Sequence, residues 1–343
     1  MNSKAFILPA ALMIAGNTAA NAKGKKSDQR PNILVILADD LGYSDLGCYG
    51  SEIHTPNLDK LAKQGVRFNH FYNTSRSCPT RASLLTGLYQ HQAGIGRMTF
   101  DDHLPGYRGT LSRNAVTIAE VLKESGYATS MVGKWHIAET PLRKDQREWL
   151  APHVYHATYS YITQALSDRA VKEVKEYAKD DKPFFMYLAY TAPHWPLHAL
   201  PEDIEKYKDT YKVGWEAIRN ARYERQKQLG IFPNMDNFLS DRQFKDKWED
   251  NPHAEWDARA MAVHAAMIDR MDQGIGQVID ALEKTGQLEN TLILFLSDNG
   301  CSNENCQNYS PGENDRPDMT RKGEKMVYPH NKEVLPGPET TYA

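Results

Sequence analysis

The sequence predicts an α/β fold, a three-layer sandwich with a mostly parallel central sheet. Short continuous apolar runs, such as Asn32–Ala38 (NILVILA) and Thr291–Ser297 (TLILFLS), are typical of strands that are buried on both faces of a parallel sheet. Segments with helical spacing alternate with these runs along the chain. Such an alternation is typical of a layered fold in which helices pack on the sheet.

Local signals predict the elements of the first part of the chain. After the strand Asn32–Ala38, the segment Pro56–Gly65 has apolar residues on one side of a helix and a glycine at its end. Val66–Tyr72 is predicted to be a strand. Pro79–Gly87 begins with proline and ends with glycine, which is typical of a helix, and Asn114–Gly126 is a second helix that ends at glycine.

The second part of the chain continues the alternation. Ala128–Val132 is predicted to be a short strand, and Tyr159–Lys179 a helix with a charged outer face. Pro183–Tyr190 (PFFMYLAY) is predicted to be a buried strand. The long helix Ala254–Lys284 then leads to the last predicted strand, Thr291–Ser297.

Two segments do not fit the alternation. Leu197–Pro252 is a charged, partly helical insertion with weak periodicity, and we predict that it decorates the surface and shapes a cleft. Gly300–Ala343 is rich in Asn, Pro, Gly, Glu and Lys and has almost no apolar run. Structureless segments of that length are uncommon inside compact domains. We therefore expect this tail to have too little apolar content to fold back over the sheet.

Bulk composition sets broad limits on function. A length of 343 residues suits one large domain or two smaller ones, and a hydrophobic fraction of 41% allows a sizeable core. The net charge of -3 gives no electrostatic bias toward nucleic acid or an anionic membrane surface. No segment after the N-terminus has the composition of a transmembrane helix.

The N-terminus has the parts of a secretory signal peptide. A positive charge at Lys4 precedes the apolar run Ala5–Gly16, and Ala20-Asn21-Ala22 is an A-x-A cleavage site. The apolar run is too short to span a bilayer of about 30 Å as a helix. We therefore predict that residues 1–22 are removed by cleavage near Ala22 and that the protein is exported, to the periplasm or out of the cell.

Four cysteines are too few in a chain of this length for a disulfide framework. Cys48 is expected to be a small buried hydrophobic residue. Cys301 and Cys306 lie close together in a polar loop and could pair in an oxidising compartment, and the sequence leaves this pairing open.

Polar side chains follow the carboxyl ends of four predicted strands. They are Asp39-Asp40, Gly133-Lys134-Trp135-His136, Pro193-His194 and Asp298-Asn299. Because ligands of open α/β sheets bind beyond this edge, we expect these groups to meet there. Aspartate and asparagine supply oxygen ligands, which suit Ca²⁺ or Mg²⁺. Such pairs also start turns or cap helices, but two pairs at the ends of two buried strands favour a metal site.

The segment Ser77-Cys78-Pro79-Thr80-Arg81 is the sharpest signal. Cys78 directly precedes a helix-initiating proline, where backbone N–H groups and the helix dipole favour negative charge. Arg81 follows about one helical turn later and can reach the same point. The pattern predicts a thiolate nucleophile with a lowered pKa, and the alternative is a buried structural cysteine beside a capped helix. Lys134 and His136 are expected to point to the same side and to bind an anion.

In this order along the chain, the motifs resemble those of the type I sulfatases of the alkaline phosphatase superfamily. The most specific similarity is to the family's Cys-x-Pro-x-Arg element, with Cys78 taken as its cysteine. The flanking segments are also similar, namely Pro31–Gly50, Thr55–Phe68, Arg81–Tyr89 and Asp298-Asn299-Gly300. The resemblance covers Arg30–Gly300 and implies an alkaline-phosphatase-like fold, with residues 30–343 as the N-terminal catalytic domain of a sulfatase.

The resemblance also implies a mechanism. A maturation enzyme would oxidise Cys78 to formylglycine, and the hydrated aldehyde would attack sulfur and later release sulfate. One Ca²⁺ would be bound by Asp39, Asp40, Asp298, Asn299 and the modified Cys78. Arg81 would hold the hydrate, and Lys134 would bind a sulfate oxygen. His136 would accept the second proton of the hydrate, and His194 would be the general acid for the leaving alcohol. The implied substrate is a sulfated small molecule or glycan.

The departures from the family pattern lie in the tail. Family members normally carry a second active-site lysine and then a smaller C-terminal subdomain with an antiparallel sheet. Lys322, Lys325 and Lys332 lie in the right direction, but none has the context of that lysine. We therefore expect the subdomain to be missing and the chain to be poorly stable and nearly inactive on sulfate esters. Two other functions stay open: a phosphodiesterase or phosphonate hydrolase of the same superfamily, and a non-catalytic remnant that binds sulfated glycans.

Overall fold

The computed structural model describes residues 30–138, 161–232, 247–303, 318–320, 322–328, 332–338 and 340–341. The predicted signal peptide (residues 1–22) and Cys306, the predicted partner of Cys301, lie outside these residues. In the described part of the chain, one parallel sheet is formed by β1 (Asn32–Asp39), β2 (Ala128–Gly133), β3 (Phe184–Pro193) and β4 (Thr291–Ser297). Their order in the sheet is β2-β3-β1-β4.

Helices lie on both faces of the sheet. They are α1 (Pro56–Gln64), α2 (Ser77–Thr86), α3 (Ile118–Glu124), α4 (Ile162–Tyr177), α5 (Pro201–Glu205), α6 (Trp215–Gln228) and α7 (Ala254–Lys284). Leu34 and Ile36 of β1 point into a core formed with α4 and α7, while Val35 and Leu37 point into a second core with α2 and α3. The alternation of side chains along a strand thus produces two cores, and the predicted three-layer α/β sandwich is confirmed.

Two of the strand predictions need correction. Val66–Tyr72 is not a strand, and its backbone is instead fixed by side chains: the hydroxyl of Tyr49 donates to the carbonyl oxygen of Phe68 at 2.8 Å. β4 is a strand with the predicted bounds, but it is not buried on both faces. It lies at an edge of the sheet, and Leu292 and Leu294 on it are 50% and 43% exposed. An apolar run predicts a strand without telling whether both of its faces are covered.

The helix predicted over Asn114–Gly126 begins later, at Ile118. Thr117 precedes it and forms a capping box with Glu120, because each side chain accepts a hydrogen bond from the backbone N–H of the other residue. The side chain of Thr117 therefore sets the first turn of α3, and the residues before it stay outside the helix.

The insertion and the tail are both more closely packed than the sequence predicts. The insertion contains α5 and α6, and Tyr207, Tyr211 and Gln226 within it are buried, so it is more than surface decoration. In the described part of the tail, Met326 and Tyr328 are buried. Neither residue belongs to the two cores that lie on the sheet, so the expectation that the tail does not fold back over the sheet stays a prediction.

No helix in the described residues combines the length and the apolar composition that crossing a membrane requires.

Candidate functional site

The carboxyl ends of the four strands lie at one edge of the sheet, because the strands are parallel. β1 ends at Asp39, β2 at Gly133, β3 at Pro193 and β4 at Ser297. Gly133 has a φ of 106°, and a Cβ at this position would collide with the carbonyl oxygen of Ala189. Only glycine therefore lets the chain leave β2 in the direction of the site.

Arg81 is the fully buried centre of the site. Its Nη2 donates to Asp39 Oδ1 at 3.0 Å and to Asp298 Oδ2 at 2.8 Å. Its Nη1 donates to the carbonyl oxygen of Lys134 at 2.9 Å, and its Nε donates to Ser77 Oγ at 2.9 Å. One guanidinium group thus connects the ends of β1, β2 and β4 to the first residue of α2.

Three carboxylates face one another beside Arg81. Asp39, Asp40 and Asp298 each offer an oxygen, and these oxygens all lie within 4.8 Å of one another. The backbone N–H of Asp40 donates to Asp298 Oδ1 at 3.2 Å, and Asn299 Nδ2 donates to Asp40 Oδ1 at 2.6 Å. The predicted metal ligands on β1 and β4 therefore lie together. A set of carboxylate and amide oxygens fits a hard divalent cation such as Ca²⁺.

The surroundings shift the pKa values of Asp39 and Asp298 in opposite directions. Burial acts to raise the pKa of Asp39, but Lys134 and then Arg81 outweigh it and hold that pKa well below its usual range. Lys134 Nζ lies 2.5 Å from Asp39 Oδ2. Burial raises the pKa of Asp298, although Arg81 opposes this effect, and the charge of Asp39 adds to the rise. A bound cation would offset the cost of the negative charge on Asp298.

The two predicted histidines contact different groups of the site. His194 Nε2 is 3.7 Å from Asp40 Oδ2, and its Nδ1 donates to the carbonyl oxygen of Trp195 at 2.6 Å. His136 Nδ1 is 3.2 Å from Ser77 Oγ. Burial, and then the charges of Lys134 and Arg81, lower the pKa of His136 to about 3, so its ring is neutral at neutral pH.

The position of Cys78 corrects the sequence-based prediction of the nucleophile. Cys78 is fully buried in the core on the α2 side of the sheet, and its Sγ lies 3.8 Å from Met98 Sδ. Burial raises the pKa of its thiol to about 11, although Lys134 and Arg81 oppose the rise, so a thiolate with a lowered pKa is wrong. A sulfur in this place is not open to a substrate.

Ser77 occupies the place that was predicted for Cys78. Its half-buried hydroxyl lies between Arg81 Nε at 2.9 Å and His136 Nδ1 at 3.2 Å. The spacing of the motif explains the difference. In a Cys-x-Pro-x-Arg element one residue separates the first position from the proline, whereas Cys78 directly precedes Pro79. When Pro79 and Arg81 are matched to the element, Ser77 is its first residue.

One group at the site was not predicted from the sequence, and one tail lysine lies elsewhere. The hydroxyl of Tyr187 lies 3.4 Å from Arg81 Nη1, but Tyr187 belongs to the apolar strand β3, where no polar pattern marks it. Of the three tail lysines, Lys332 lies 2.7 Å from Asp257 near the start of α7. Lys332 is therefore paired with a carboxylate that is not one of the three beside Arg81.

Comparison with known proteins agrees with this geometry. The family model described as Sulfatase matches residues 31–323. The chain is 32% identical to an arylsulfatase of Klebsiella aerogenes over 100% of this chain and 82% of that protein. It is 36% identical to an uncharacterized sulfatase of Schizosaccharomyces pombe over 79% of this chain and 58% of that protein.

A solved structure gives the same result. The crystal structure of Ps i-CgsB in complex with k-i-k-neocarrahexaose has a TM-score of 0.54 and 30% identity, over 80% of this chain and 61% of that chain. The present chain thus spans about three fifths of the length of Ps i-CgsB and of the Schizosaccharomyces pombe relative. With the family model, the two relatives and the site at the strand ends in agreement, the chain belongs to the sulfatase family of the alkaline phosphatase superfamily.

Proposed function

We propose that the protein hydrolyses sulfate esters and that its nucleophile is formed at Ser77. The observation that carries this proposal is the placement of the Ser77 hydroxyl between Arg81 and His136, next to the carboxylate of Asp298 that Arg81 also binds. Ser77 is half-buried, and its hydroxyl accepts a hydrogen bond from the guanidinium group of Arg81. A sulfate group there would meet Lys134, while the buried Arg81 fixes the surrounding groups.

Two groups would complete the site. The proposed modification is oxidation of the Ser77 hydroxymethyl group to the aldehyde of formylglycine, in which a maturation enzyme with its own electron acceptor removes two hydrogen atoms. The proposed metal is one Ca²⁺, held by Asp39, Asp40, Asp298, Asn299 and the modified residue 77. When bound, the metal would polarise a sulfate oxygen, and the hydrate of the modified residue 77 would supply the attacking hydroxyl.

The side chains of this protein bind and orient the reactants. Arg81 holds Asp39 and Asp298 in place, so the oxygens that face the metal are fixed before any ligand arrives. Lys134 provides a positive charge that binds a sulfate oxygen as a point charge.

The histidines would move protons on either side of the sulfate. His136 contacts the hydroxyl of Ser77 and would orient the nucleophile and accept a proton from it. The Nδ1–H of His194 is used by the carbonyl oxygen of Trp195, which leaves Nε2 as the nitrogen that delivers a proton to the leaving alcohol.

We propose a sulfated carbohydrate as the substrate. The support is the similarity to Ps i-CgsB, which was crystallised with a hexaose, at 30% identity. We further propose that residues 1–22 are a signal peptide, so that the mature protein is periplasmic or secreted. N-terminal sequencing of the protein from the cell envelope and the medium tests this, and a mature chain that still begins at Met1 would contradict it.

The nucleophile is tested with a pair of neighbouring variants. The protein is produced together with a sulfatase maturation enzyme, and the peptide that contains Ser77 and Cys78 is analysed by mass spectrometry. We expect the aldehyde at position 77 and an unmodified Cys78. Ser77→Ala should abolish sulfate release from a chromogenic aryl sulfate, whereas the matched control Cys78→Ala should retain it.

Three other outcomes would contradict the proposal or favour another function. An aldehyde at position 78, together with activity that survives Ser77→Ala, would restore the cysteine as the nucleophile and contradict the proposal. Faster turnover of phosphate esters or phosphonates than of sulfate esters would favour the phosphodiesterase or phosphonate hydrolase function. Binding of sulfated glycans without any turnover, in protein whose modification is verified, would favour the non-catalytic function.

A further inference from the structure

The helix α6 presents an arginine to the loop that follows the metal-binding end of β1. Arg222 Nη1 lies 2.5 Å from Asp45 Oδ1, and the Arg222 side chain is only 16% exposed. On the other side, Arg222 Nε and Nη2 each bind one oxygen of Glu52 at 2.7 Å. Arg222 therefore joins both ends of the loop from Asp45 to Glu52 through two buried or half-buried carboxylates.

Asp45 holds the turn that begins directly after Asp40. Its Oδ2 accepts the backbone N–H of Gly42 at 2.9 Å, and its own N–H donates to the carbonyl oxygen of Gly42 at 3.1 Å. Asp40 itself has a φ of 64°, in the left-handed region that favours glycine. The turn must therefore be held by contacts from outside if the Asp40 carboxylate is to stay in place.

The same turn also lies against the end of β4. A Cβ on Gly42 would lie 3.3 Å from Cys301 Cβ, which places the turn in contact with the segment that follows Asn299. Asn299 in turn donates to Asp40 Oδ1 at 2.6 Å. Movement of the turn would therefore displace the oxygens of both Asp40 and Asn299.

We infer that Arg222 is a positioning residue for the metal site, acting through Asp45 on the oxygens of Asp40 and Asn299. The inference rests on the proposed function, because it takes these oxygens to be ligands of a cation. Arg222 touches neither ligand, so it acts in the way that outer groups orient the ligands of other metal sites. Loss of such partners typically lowers metal affinity about 10- to 100-fold.

The chain offers a matched control on the same helix. Arg225 also binds Glu52, at 3.4 Å, and the carbonyl oxygen of Gly50, at 2.6 Å, and none of its described contacts is with Asp45. Arg222→Lys and Arg225→Lys are thus the same substitution at two positions of α6, and both positions contact the loop from Asp45 to Glu52. Lysine keeps the positive charge but cannot bridge two carboxylates as the guanidinium group does.

Calcium affinity is measured by calorimetric titration of the full chain and both variants. We expect the Kd for Ca²⁺ to rise about 10-fold or more in Arg222→Lys and less than about threefold in Arg225→Lys. The melting temperatures of the two variants in chelator measure any general loss of stability. Equal calcium affinities for the two variants would overturn the inference.

A second variant and a second measurement test the inference if Arg222→Lys does not fold or if the parent chain binds no Ca²⁺. If Arg222→Lys does not fold, Asp45→Asn probes the same contact, since asparagine keeps an acceptor for the Gly42 N–H while losing the charge. Unchanged affinity in Asp45→Asn would also overturn the inference. Amide hydrogen exchange over residues 40–46 and 299–301, without any metal, should be faster in Arg222→Lys than in Arg225→Lys. If the parent chain binds no Ca²⁺, the proposed metal site fails and this exchange difference alone decides the role of Arg222.

Discussion

Replacement of Arg81 by methionine should destabilise the protein strongly even when no metal is present. The substitution keeps a long side chain and removes a fully buried charge that lies 3.0 Å from Asp39 and 2.8 Å from Asp298, both also buried. Asp39 would keep Lys134, whose Nζ is 2.5 Å away. Asp298 would keep neutral donors, namely the backbone N–H of Asp40, at 3.2 Å, and the side chain of Ser77.

The expected loss of stability follows from this difference between Asp39 and Asp298. One buried carboxylate, rather than two, loses its counter-charge, and removal of one partner of a buried pair costs about 3–5 kcal/mol. With an m-value of about 3 kcal/mol/M, the urea midpoint should fall by about 1–2 M. Arg97→Met is the matched control, because Arg97 forms a surface ion pair with Asp102 at 3.5 Å and is 61% exposed. That change should cost less than about 1 kcal/mol.

The assay is equilibrium urea unfolding in chelator at pH 7.5, followed by circular dichroism. A loss below about 1 kcal/mol in Arg81→Met, similar to that in Arg97→Met, would refute the reasoning, because it would mean that Asp298 does not depend on Arg81 for compensation of its charge.

Three further predictions concern single positions of the site. Asp298→Asn removes a buried carboxylate from the cluster and should weaken calcium binding at least about tenfold in calorimetric titration, while Asp280→Asn, at an exposed position of α7, should leave it unchanged. Lys134→Gln should lower kcat/KM for an aryl sulfate about 10²–10³-fold at equal modification, because a fixed charge on the sulfate is lost. Gly133→Ala should cost about 1–3 kcal/mol or more in urea unfolding, since φ is 106° and the new Cβ would meet the carbonyl oxygen of Ala189.

Each of these predictions has a contradicting result. Equal calcium affinity in the variants at positions 298 and 280 would place the metal elsewhere. A turnover rate in Lys134→Gln equal to that of the exposed control Lys182→Gln would remove Lys134 from sulfate binding. An unfolding free energy unchanged in Gly133→Ala would show that the end of β2 adapts without strain.

Much of the fold could be predicted from the sequence because the sheet is nearly all apolar. The apolar runs in β1, β3 and β4 serve mainly for burial and pairing. The predicted bounds of β1 and β4 agree with the structure within one residue, whereas β3 continues to Pro193, beyond its predicted end at Tyr190. The strand predicted at Val66–Tyr72 failed because its apolar side chains are exposed, as for Phe71 and Tyr72 at 59% and 86%. Strand-forming residues alone do not supply a partner strand.

The candidate site could be predicted in outline, since parallel strands bring their carboxyl ends together whatever the loops do. The exchange of Cys78 and Ser77 could have been avoided from the sequence, because the element places one residue between its first position and the proline, and that spacing selects Ser77. Arg222 was missed for a different reason. The helix buries Tyr223, but it also directs Arg222, Arg225 and Gln226 inward. These polar contacts interrupt the apolar stripe that would mark a buried helix face.

The strand order has a consequence for the synthesis of the protein. In the sheet of the described residues, β1 lies between β3 and the edge strand β4, and β4 is the last of the four strands along the chain. β1 can pair with β3 once β3 has been made, but its other edge stays unpaired while about one hundred further residues are added, which at typical elongation rates takes about 5–20 s. During that interval the growing chain exposes an apolar strand edge of the kind that pairs with other chains. Slower initiation of translation, which lowers the number of such nascent chains at any moment, should therefore increase the soluble yield more than a lower elongation rate does.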